Sequence, residues 1–96
     1  MQFLLVAFDG TDSGALERRM KVREEHFKRI IAMKEAGEFL LGGAILDESG
    51  KMTGSMIVYE FPDLESLKSS LMDEPYVTGG VWVKTEIKPF RLAKFE

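Results

Sequence analysis

A chain of 96 residues with a net charge of −3 has room for one domain and not for two. Its 45% apolar and 30% charged residues are ordinary for a globular protein, and no basic cluster is interleaved with aromatic side chains, which argues against a general nucleic-acid binder. The absence of cysteine excludes a disulfide framework and a thiol nucleophile, and a single histidine argues against a dedicated metal site.

Neither a targeting segment nor a membrane span is evident in the sequence. The N-terminal run lacks the basic region and the cleavage pattern of a signal peptide, and no apolar run approaches the roughly 18 to 20 residues of a membrane-spanning helix. We therefore expect a cytoplasmic protein that does not contact a membrane. Nothing in the residue pattern requires a metal or another cofactor.

The first predicted element is a strand over residues 3–8, FLLVAF. Both of its faces are apolar, which is typical of a central strand covered on both sides. Asp9 and Gly10 end it. In the short polar connection that follows, Thr11, Asp12 or Ser13 could cap the next helix.

A long helix is predicted over residues 15–35, with Gly37 as the residue just past its end. Projected at about 100° per residue, it shows a wide apolar arc made of Leu16, Met20, Val22, Phe27, Ile30, Ile31 and Met33. Arg19, Arg23 and His26 fall inside this arc. Because a polar group in a core-facing stripe costs desolvation free energy unless it is paired or faces a cavity, we expect the chemistry here.

A second strand is predicted over residues 38–46, with Gly42 and Gly43 in its middle. Adjacent glycines in a strand mark either a bulge or a close approach by backbone or ligand, and we favour the bulge. Residues 47–51 form a turn, so the third strand, over residues 52–61, should return antiparallel.

The last third of the chain is predicted to contain a short helix and a final strand. The helix covers residues 64–72 with Asp63 as N-cap, and a loop follows over residues 73–80. The strand begins near Val81, with Val81, Val83, Thr85 and Ile87 on one face and Trp82, Lys84, Glu86 and Lys88 on the other. Pro89 suits an edge strand or its end.

The element order β-α-β-β-α-β predicts an α+β, ferredoxin-like fold: a single domain over residues 1–96, with a four-stranded antiparallel sheet and two helices on one face. Two helices leave the other face open. Yet the first strand is apolar on both faces, and the third strand, with Met56, Ile57, Val58, Tyr59 and Phe61, has no clean polar face. We therefore predict a homodimer or higher homo-oligomer, packed sheet against sheet.

Several short motifs recur in a recognisable order. They are Asp9 after the first strand, Leu16-Glu17-Arg18-Arg19, Val22-Arg23-Glu24-Glu25-His26, Gly43, Thr53-Gly54-Ser55, Pro75-Tyr76-Val77, Gly79-Gly80-Val81 and Lys88-Pro89-Phe90. In order and spacing they resemble the YciI family of YCII-related domains, whose members are similar to the dimeric α/β-barrel proteins. The resemblance covers nearly the whole chain.

This resemblance implies a histidine–aspartate pair in a pocket and a dehydrochlorinase-like activity, with His26 in the place of the histidine and Asp9 in that of the aspartate after the first strand. The family's Asp-Pro motif falls on Glu74-Pro75, with Asp73 one residue earlier. Ala44 follows Gly43 where the family commonly has proline. The acidic partner of His26 is therefore open among Asp9, Asp73 and Glu74.

The candidate site residues have distinct chemical uses. His26 can exchange a proton near neutral pH if a carboxylate fixes its tautomer. Arg23, and similarly Arg19, would bind an anionic substrate oxygen or form a structural ion pair with Asp9 or another acid. Gly43, with Gly42, could form a pocket floor, and Ser55 could donate a hydrogen bond into the pocket. We expect Trp82, Tyr59 and Tyr76 to be core or dimer contacts.

These residues support a small cofactor-independent enzyme, in which His26 acts as general acid or base on a small anionic, cyclic or aromatic metabolite. Elimination or isomerisation suits this equipment. The same pocket would equally serve a non-catalytic dimeric ligand-binding module. A third reading is a cofactor-free monooxygenase like other dimeric α/β-barrel proteins.

Overall fold

The computed structural model describes residues 1–95. The elements in chain order are β1 (Gln2–Asp9), α1 (Ala15–Glu35), β2 (Phe39–Leu46), β3 (Met52–Glu60), α2 (Leu64–Leu71), α3 (Pro75–Thr78) and β4 (Trp82–Phe90). The four strands form one antiparallel sheet in the order β2-β3-β1-β4, with the helices on one face, as the sequence predicts for a ferredoxin-like α+β fold. The short helix α3 lies in the segment predicted to be a loop.

Helix α1 ends as its sequence predicts. Gly37 has a φ of +77°, and the N–H groups of Gly37 and Glu38 donate to the carbonyls of Lys34 and Met33 at 3.1 and 2.8 Å, which is a Schellman motif. Although α1 spans 21 residues, neither it nor any other helix within residues 1–95 is long and apolar enough to cross a membrane.

The predicted N-cap of α1 is wrong. Gly14 occupies the N-cap position, and no side chain caps the helix there. Among the three expected capping residues, Asp12 instead organises the preceding turn: its carboxylate accepts from the Gly14 N–H at 3.2 Å and pairs with Arg18 at 2.7 Å. The turn bonds made by Asp12 take the place of a side-chain cap.

The core lies between the helices and one face of the sheet. Its buried apolar residues include Phe3, Leu5 and Ala7 of β1, Ile57 and Tyr59 of β3, Met33 of α1 and Leu67 of α2. The alternate residues of the same strands form the opposite face, which we call the open sheet face. It carries Leu4, Val6, Phe8, Leu41, Ile45, Met56 and Val58. Within residues 1–95 no helix covers this apolar face.

Two of the predicted face assignments change because of register shifts in the sheet. The pairing of β1 with β4 shifts between Phe8 and Asp9, which places Trp82 opposite Asp9 and Lys84 opposite Phe8. One extra residue reverses the alternation, so Trp82 faces the helices and is 7% exposed, whereas Val83 is 66% exposed. The prediction that Trp82 shares a face with Lys84 was therefore wrong.

The bulge expected at Gly42 and Gly43 is also wrong. Both glycines pair in register with β3, and the shift falls between Phe39 and Leu41. The close-approach alternative fits Gly42 instead, because a Cβ there would lie 2.8 Å from the Met56 carbonyl oxygen.

The buried side of α1 is displaced from the predicted arc. Its buried residues are Ala15, Arg19, His26 and Met33, whereas Met20, Phe27 and Ile31 are 49%, 41% and 59% exposed. The helix is oriented so that Arg19 and His26 face the sheet, while these three apolar residues are partly exposed to solvent. This rotation brings the ionisable side chains of α1 against the sheet.

Candidate functional site

A pocket of about 250 Å³ lies between α1 and the strands β2 and β3. Its helical wall is formed by Arg19, Arg23, His26, Phe27 and Ile30. The sheet side is formed by Phe39, Gly42, Gly43, Ala44, Met52, Ser55 and Ile57, and Tyr76 of α3 also lines the pocket. Gly42 and Ala44 pair with Ile57 and Ser55 and so face the helix. Gly42 has no side chain and Ala44 has only a methyl group, which leaves the space that the pocket occupies.

The imidazole of His26 is held against a buried carboxylate. His26 Nδ1 donates to Glu74 Oε2 at 2.8 Å, and the two side chains are 6% and 1% exposed. The Tyr76 backbone N–H donates to the same oxygen at 2.9 Å, and the Tyr76 ring stacks on the imidazole with a centroid distance of 3.9 Å. An ionised Glu74 can only accept, so opposite an ionised Glu74 it is Nδ1 that carries the proton and Nε2 that is left for a ligand.

Asp9 belongs to a second buried network. Both of its oxygens accept from Arg19 Nη1, at 3.1 and 3.0 Å, and Arg19 Nη2 donates to Ser55 Oγ at 2.9 Å. Trp82 Nε1 donates to the same hydroxyl at 3.3 Å. The register shift in β4 thus supplies a contact to the site, and Trp82 belongs to the core as expected.

The structure separates the three acids that were open as partners of His26. Glu74 is the one in contact, Asp9 is paired with Arg19, and Asp73 is exposed, with its backbone N–H bonded to Ser70. Asp73 does not line the pocket. Asp9, the aspartate that follows β1, therefore orients Arg19 and not the imidazole of His26.

Arg23 and Arg19 have different surroundings. Arg19 forms the ion pair with Asp9, whereas the Arg23 guanidinium lies over the Phe27 ring at 4.4 Å. Among residues 1–95 no carboxylate lies within 4.0 Å of that guanidinium. Arg23 is half-buried in the pocket wall, so its charge is available to a ligand.

The pocket presents hydrogen-bond donors. Ser55 Oγ accepts two hydrogen bonds, from Arg19 and Trp82, which occupy both of its lone pairs and leave its O–H to donate. The Nε of Arg19 is buried and has no hydrogen-bond partner in the part of the chain that the structure describes. Because these two donors have no acceptor in the protein, the pocket favours a ligand that carries oxygen atoms able to accept hydrogen bonds.

The buried phenols do not compete with His26 as bases near neutral pH. Burial raises the pKa of the Tyr59 phenol, and the charge of Glu74 adds to that effect. Burial also raises the pKa of the Tyr76 phenol, which Arg19 and Arg23 partly oppose. Both phenols therefore stay protonated at neutral pH.

Arg29 is a neighbour of the site that the sequence did not reveal. Its Nη2 donates to the backbone carbonyl and to the hydroxyl of Ser70, both at 2.6 Å, and its Nε lies 3.8 Å from Glu74 Oε1. Its spacing of three residues from His26, on the same side of a helix, is the signal that could have found it.

Comparison with known proteins supports the ferredoxin-like fold described above and shows the family. A family model described as the YCII-related domain matches residues 1–91. Protein YciI of Escherichia coli O6:H1 is 32% identical over 97 residues, which cover 95% of this chain and 97% of that protein. Protein YciI of Shigella flexneri matches to the same extent.

Among solved structures, 5-chloro-2-hydroxyhydroquinone dehydrochlorinase (TftG) of Burkholderia phenoliruptrix AC1100, in complex with 2,5-dihydroxybenzoquinone, superposes with a TM-score of 0.82. It is 21% identical, and the match covers 97% of this chain and 96% of that one. An antibiotic biosynthesis monooxygenase matches with a TM-score of 0.54 and 10% identity over 97% of this chain and 98% of its own. At these identities both similarities show the fold alone.

Proposed function

Because this chain belongs to the family of YCII-related domains, we propose that it is a small cofactor-independent enzyme in which His26, oriented by Glu74, moves a proton on a small anionic ring. The observation that carries this proposal is the buried hydrogen bond between His26 and Glu74, at 2.8 Å, in the wall of a pocket. A buried ionisable pair is costly to maintain, so its position beside a cavity favours a chemical role.

The reaction we propose is an elimination or isomerisation that begins with proton abstraction. Nε2 of neutral His26 takes a proton from the substrate while Glu74 stabilises the imidazolium that forms. Arg23 and the Ser55 hydroxyl bind the oxygen on which negative charge develops. If the substrate carries a leaving group, the electron pair released by deprotonation expels it as an anion. The similarity to a dehydrochlorinase supports chloride as that group.

The ligand class follows from the lining. Donors at Ser55, Arg19 and Arg23 favour an acceptor-rich anion, and the apolar side chains of the lining, which include Ile30, Phe39 and Ile57, favour a carbon ring. A volume of about 250 Å³ suits one ring with polar substituents. The ligand of the dehydrochlorinase structure, 2,5-dihydroxybenzoquinone, has these properties and serves as the probe.

Substitution of Ala44 by Leu is expected to weaken binding of 2,5-dihydroxybenzoquinone by at least about tenfold, because a branched side chain facing the helix fills the pocket. Isothermal titration calorimetry measures the affinity. Ala44→Ser, which keeps the space, is the matched control and should bind like the wild type. Ala44 is exposed, so neither change should unfold the chain. Equal affinity of Ala44→Leu and the wild type would place the ligand elsewhere.

A cofactor-free monooxygenase is the second candidate, and the fold similarity to an antibiotic biosynthesis monooxygenase favours it. It predicts that the protein consumes oxygen when it is supplied with quinol-like substrates. An oxygen electrode distinguishes this activity from an elimination, which releases an anion and uses no oxygen.

A cytoplasmic location of the protein stays a prediction.

We also propose that the protein acts as a homodimer joined through the open sheet face. A large apolar surface of this kind marks an interaction site in a soluble protein. The row Lys84, Glu86 and Lys88 borders it on β4 with alternating charge, so a two-fold arrangement can set the acid of one copy against a lysine of the other.

Val6→Asp is expected to convert the dimer into a monomer, because Val6 lies in the middle of the open sheet face and a buried carboxylate without a partner is costly. Light scattering after size exclusion should give close to twice 10.9 kDa for the wild type and 10.9 kDa for the variant. Ile31→Asp, an exposed apolar position on α1, is the matched control and should stay dimeric. A monomeric wild type contradicts the proposal.

A further inference from the structure

Glu74 is a buried anion that needs a permanent counter-charge. Its side chain is 1% exposed, and burial of an ionised carboxylate without compensation costs several kcal/mol. In the part of the chain that the structure describes, the cationic groups within 4.0 Å of this carboxylate belong to His26 and Arg29. A general base must be neutral before it accepts a proton, so His26 cannot supply the charge in its working state.

Arg29 is placed to supply it. Its guanidinium is anchored by Nη2 to the carbonyl and hydroxyl of Ser70, near the C-terminus of α2, at 2.6 Å each. That anchor leaves Nε buried, without a hydrogen-bond partner in residues 1–95, at 3.8 Å from Glu74 Oε1. The distance is too long for a hydrogen bond and short enough for a strong Coulomb interaction in a buried setting.

We infer that Arg29 is a positioning residue for His26: it balances the charge of Glu74 on Oε1, so that Oε2 can hold a neutral imidazole by Nδ1. This inference rests on the proposed function, because it assigns His26 its working state as a base. Arg29 acts through Glu74 and makes no contact with the pocket, which its side chain does not line.

The other charged and titratable groups around the pair do not replace Arg29. From α1 come Arg19 and Arg23, from β1 Asp9, from β3 Tyr59, and from α3 Tyr76. Arg19 is committed to Asp9 at 3.0 Å, and the two phenols remain neutral. Arg23 lies over Phe27 in the pocket wall. Removal of Arg29 therefore leaves Glu74 and a neutral His26 with an unbalanced negative charge.

The test is the protonation state of the imidazole, read from ¹⁵N NMR of the whole protein near neutral pH. Because the chain has a single histidine, the ring signals need no assignment. We expect the wild type to show a neutral ring with the proton on Nδ1. In Arg29→Met the pair should gain a proton, which lowers the ratio of this neutral tautomer to the other ring states by about tenfold, the usual effect of one nearby buried charge.

Two control variants separate charge from structure. Arg29→Lys keeps the charge and should retain the wild-type ring state, and Ser70→Ala removes one anchor and should do the same. A folded Arg29→Met protein with the wild-type ring spectrum overturns the inference. If Arg29→Met does not fold, Arg29→Gln replaces it, and identical ring states in Arg29→Gln and Arg29→Lys overturn the inference.

The wild-type spectrum distinguishes this inference from the function on which it rests. A wild-type ring protonated on both nitrogens contradicts the role of His26 as a base, whatever the variants show. A neutral wild-type ring that stays neutral in Arg29→Met leaves the proposed function intact and removes only the role of Arg29.

Discussion

Under the proposed elimination, replacement of His26 by Asn is expected to reduce chloride release from the test substrate 5-chloro-2-hydroxyhydroquinone by about 100-fold or more, which is the usual contribution of a positioned general base. Asn cannot accept a proton at neutral pH, but it fits the space and can still donate to Glu74. Affinity for 2,5-dihydroxybenzoquinone should therefore change by only a few-fold. Stopped-flow spectroscopy with a chloride assay measures the turnover, and calorimetry measures the binding.

The turnover and binding measured for His26→Asn also distinguish the two hypotheses, a catalytic enzyme and a non-catalytic binding module. Lys28→Asn, an exposed position on α1, is the matched control and should leave both quantities unchanged. Loss of binding together with turnover in His26→Asn would make His26 a ligand contact and favour the module. A wild-type protein that binds the quinone and releases no chloride from the substrate would contradict the proposed elimination.

Asp9→Asn is expected to lower the free energy of unfolding by about 3–5 kcal/mol, because it leaves the Arg19 guanidinium buried without its counter-ion. The Arg19 and Asp9 side chains are 4% and 2% exposed, so solvent cannot take over the pairing. Urea denaturation followed by circular dichroism measures the loss. A drop of this size is a large share of the stability of a small domain.

Asp12→Asn is the matched control for this effect. Asp12 forms an ion pair with Arg18 at 2.7 Å, but both side chains are accessible to water, so its loss should change stability little. The double variant Asp9→Leu, Arg19→Met should recover much of the loss, because neither charge remains buried. Equal destabilisation by Asp9→Asn and Asp12→Asn would show that the buried pair has no special structural weight.

Local patterns were sufficient to predict the order of the four strands and the two longer helices, and the inward placement of His26. The apolar periodicities of 2 and about 3.6 residues separate strands from helices, and the glycine at position 37 ends α1 where expected. The same projection put Phe27 within the apolar arc, although it is 41% exposed. A helical projection carries no information on the strand opposite α1, where Gly42 and Ala44 place little or no side chain and leave room for the pocket.

The sequence left three acids as possible partners of His26 and could not choose among them, for a geometric reason. Glu74 is 48 residues from His26, and its direction depends on the turn of α3, a helix of four residues in a stretch that resembled a loop. Trp82 shows the same limit, because a single extra residue in β4 decided its face. Long-range register and very short helices depend on tertiary contacts more than on local preference.

The side chain of Glu74 has two simultaneous duties: it caps α3 through the Tyr76 amide and it orients the imidazole through the same oxygen atom. The order of that single turn and the orientation of the imidazole are consequently linked. In the proposed mechanism, fraying of α3 would release the carboxylate and leave His26 without the group that orients it. Local order at positions 75–78 would then decide whether the proposed base is in place for proton transfer.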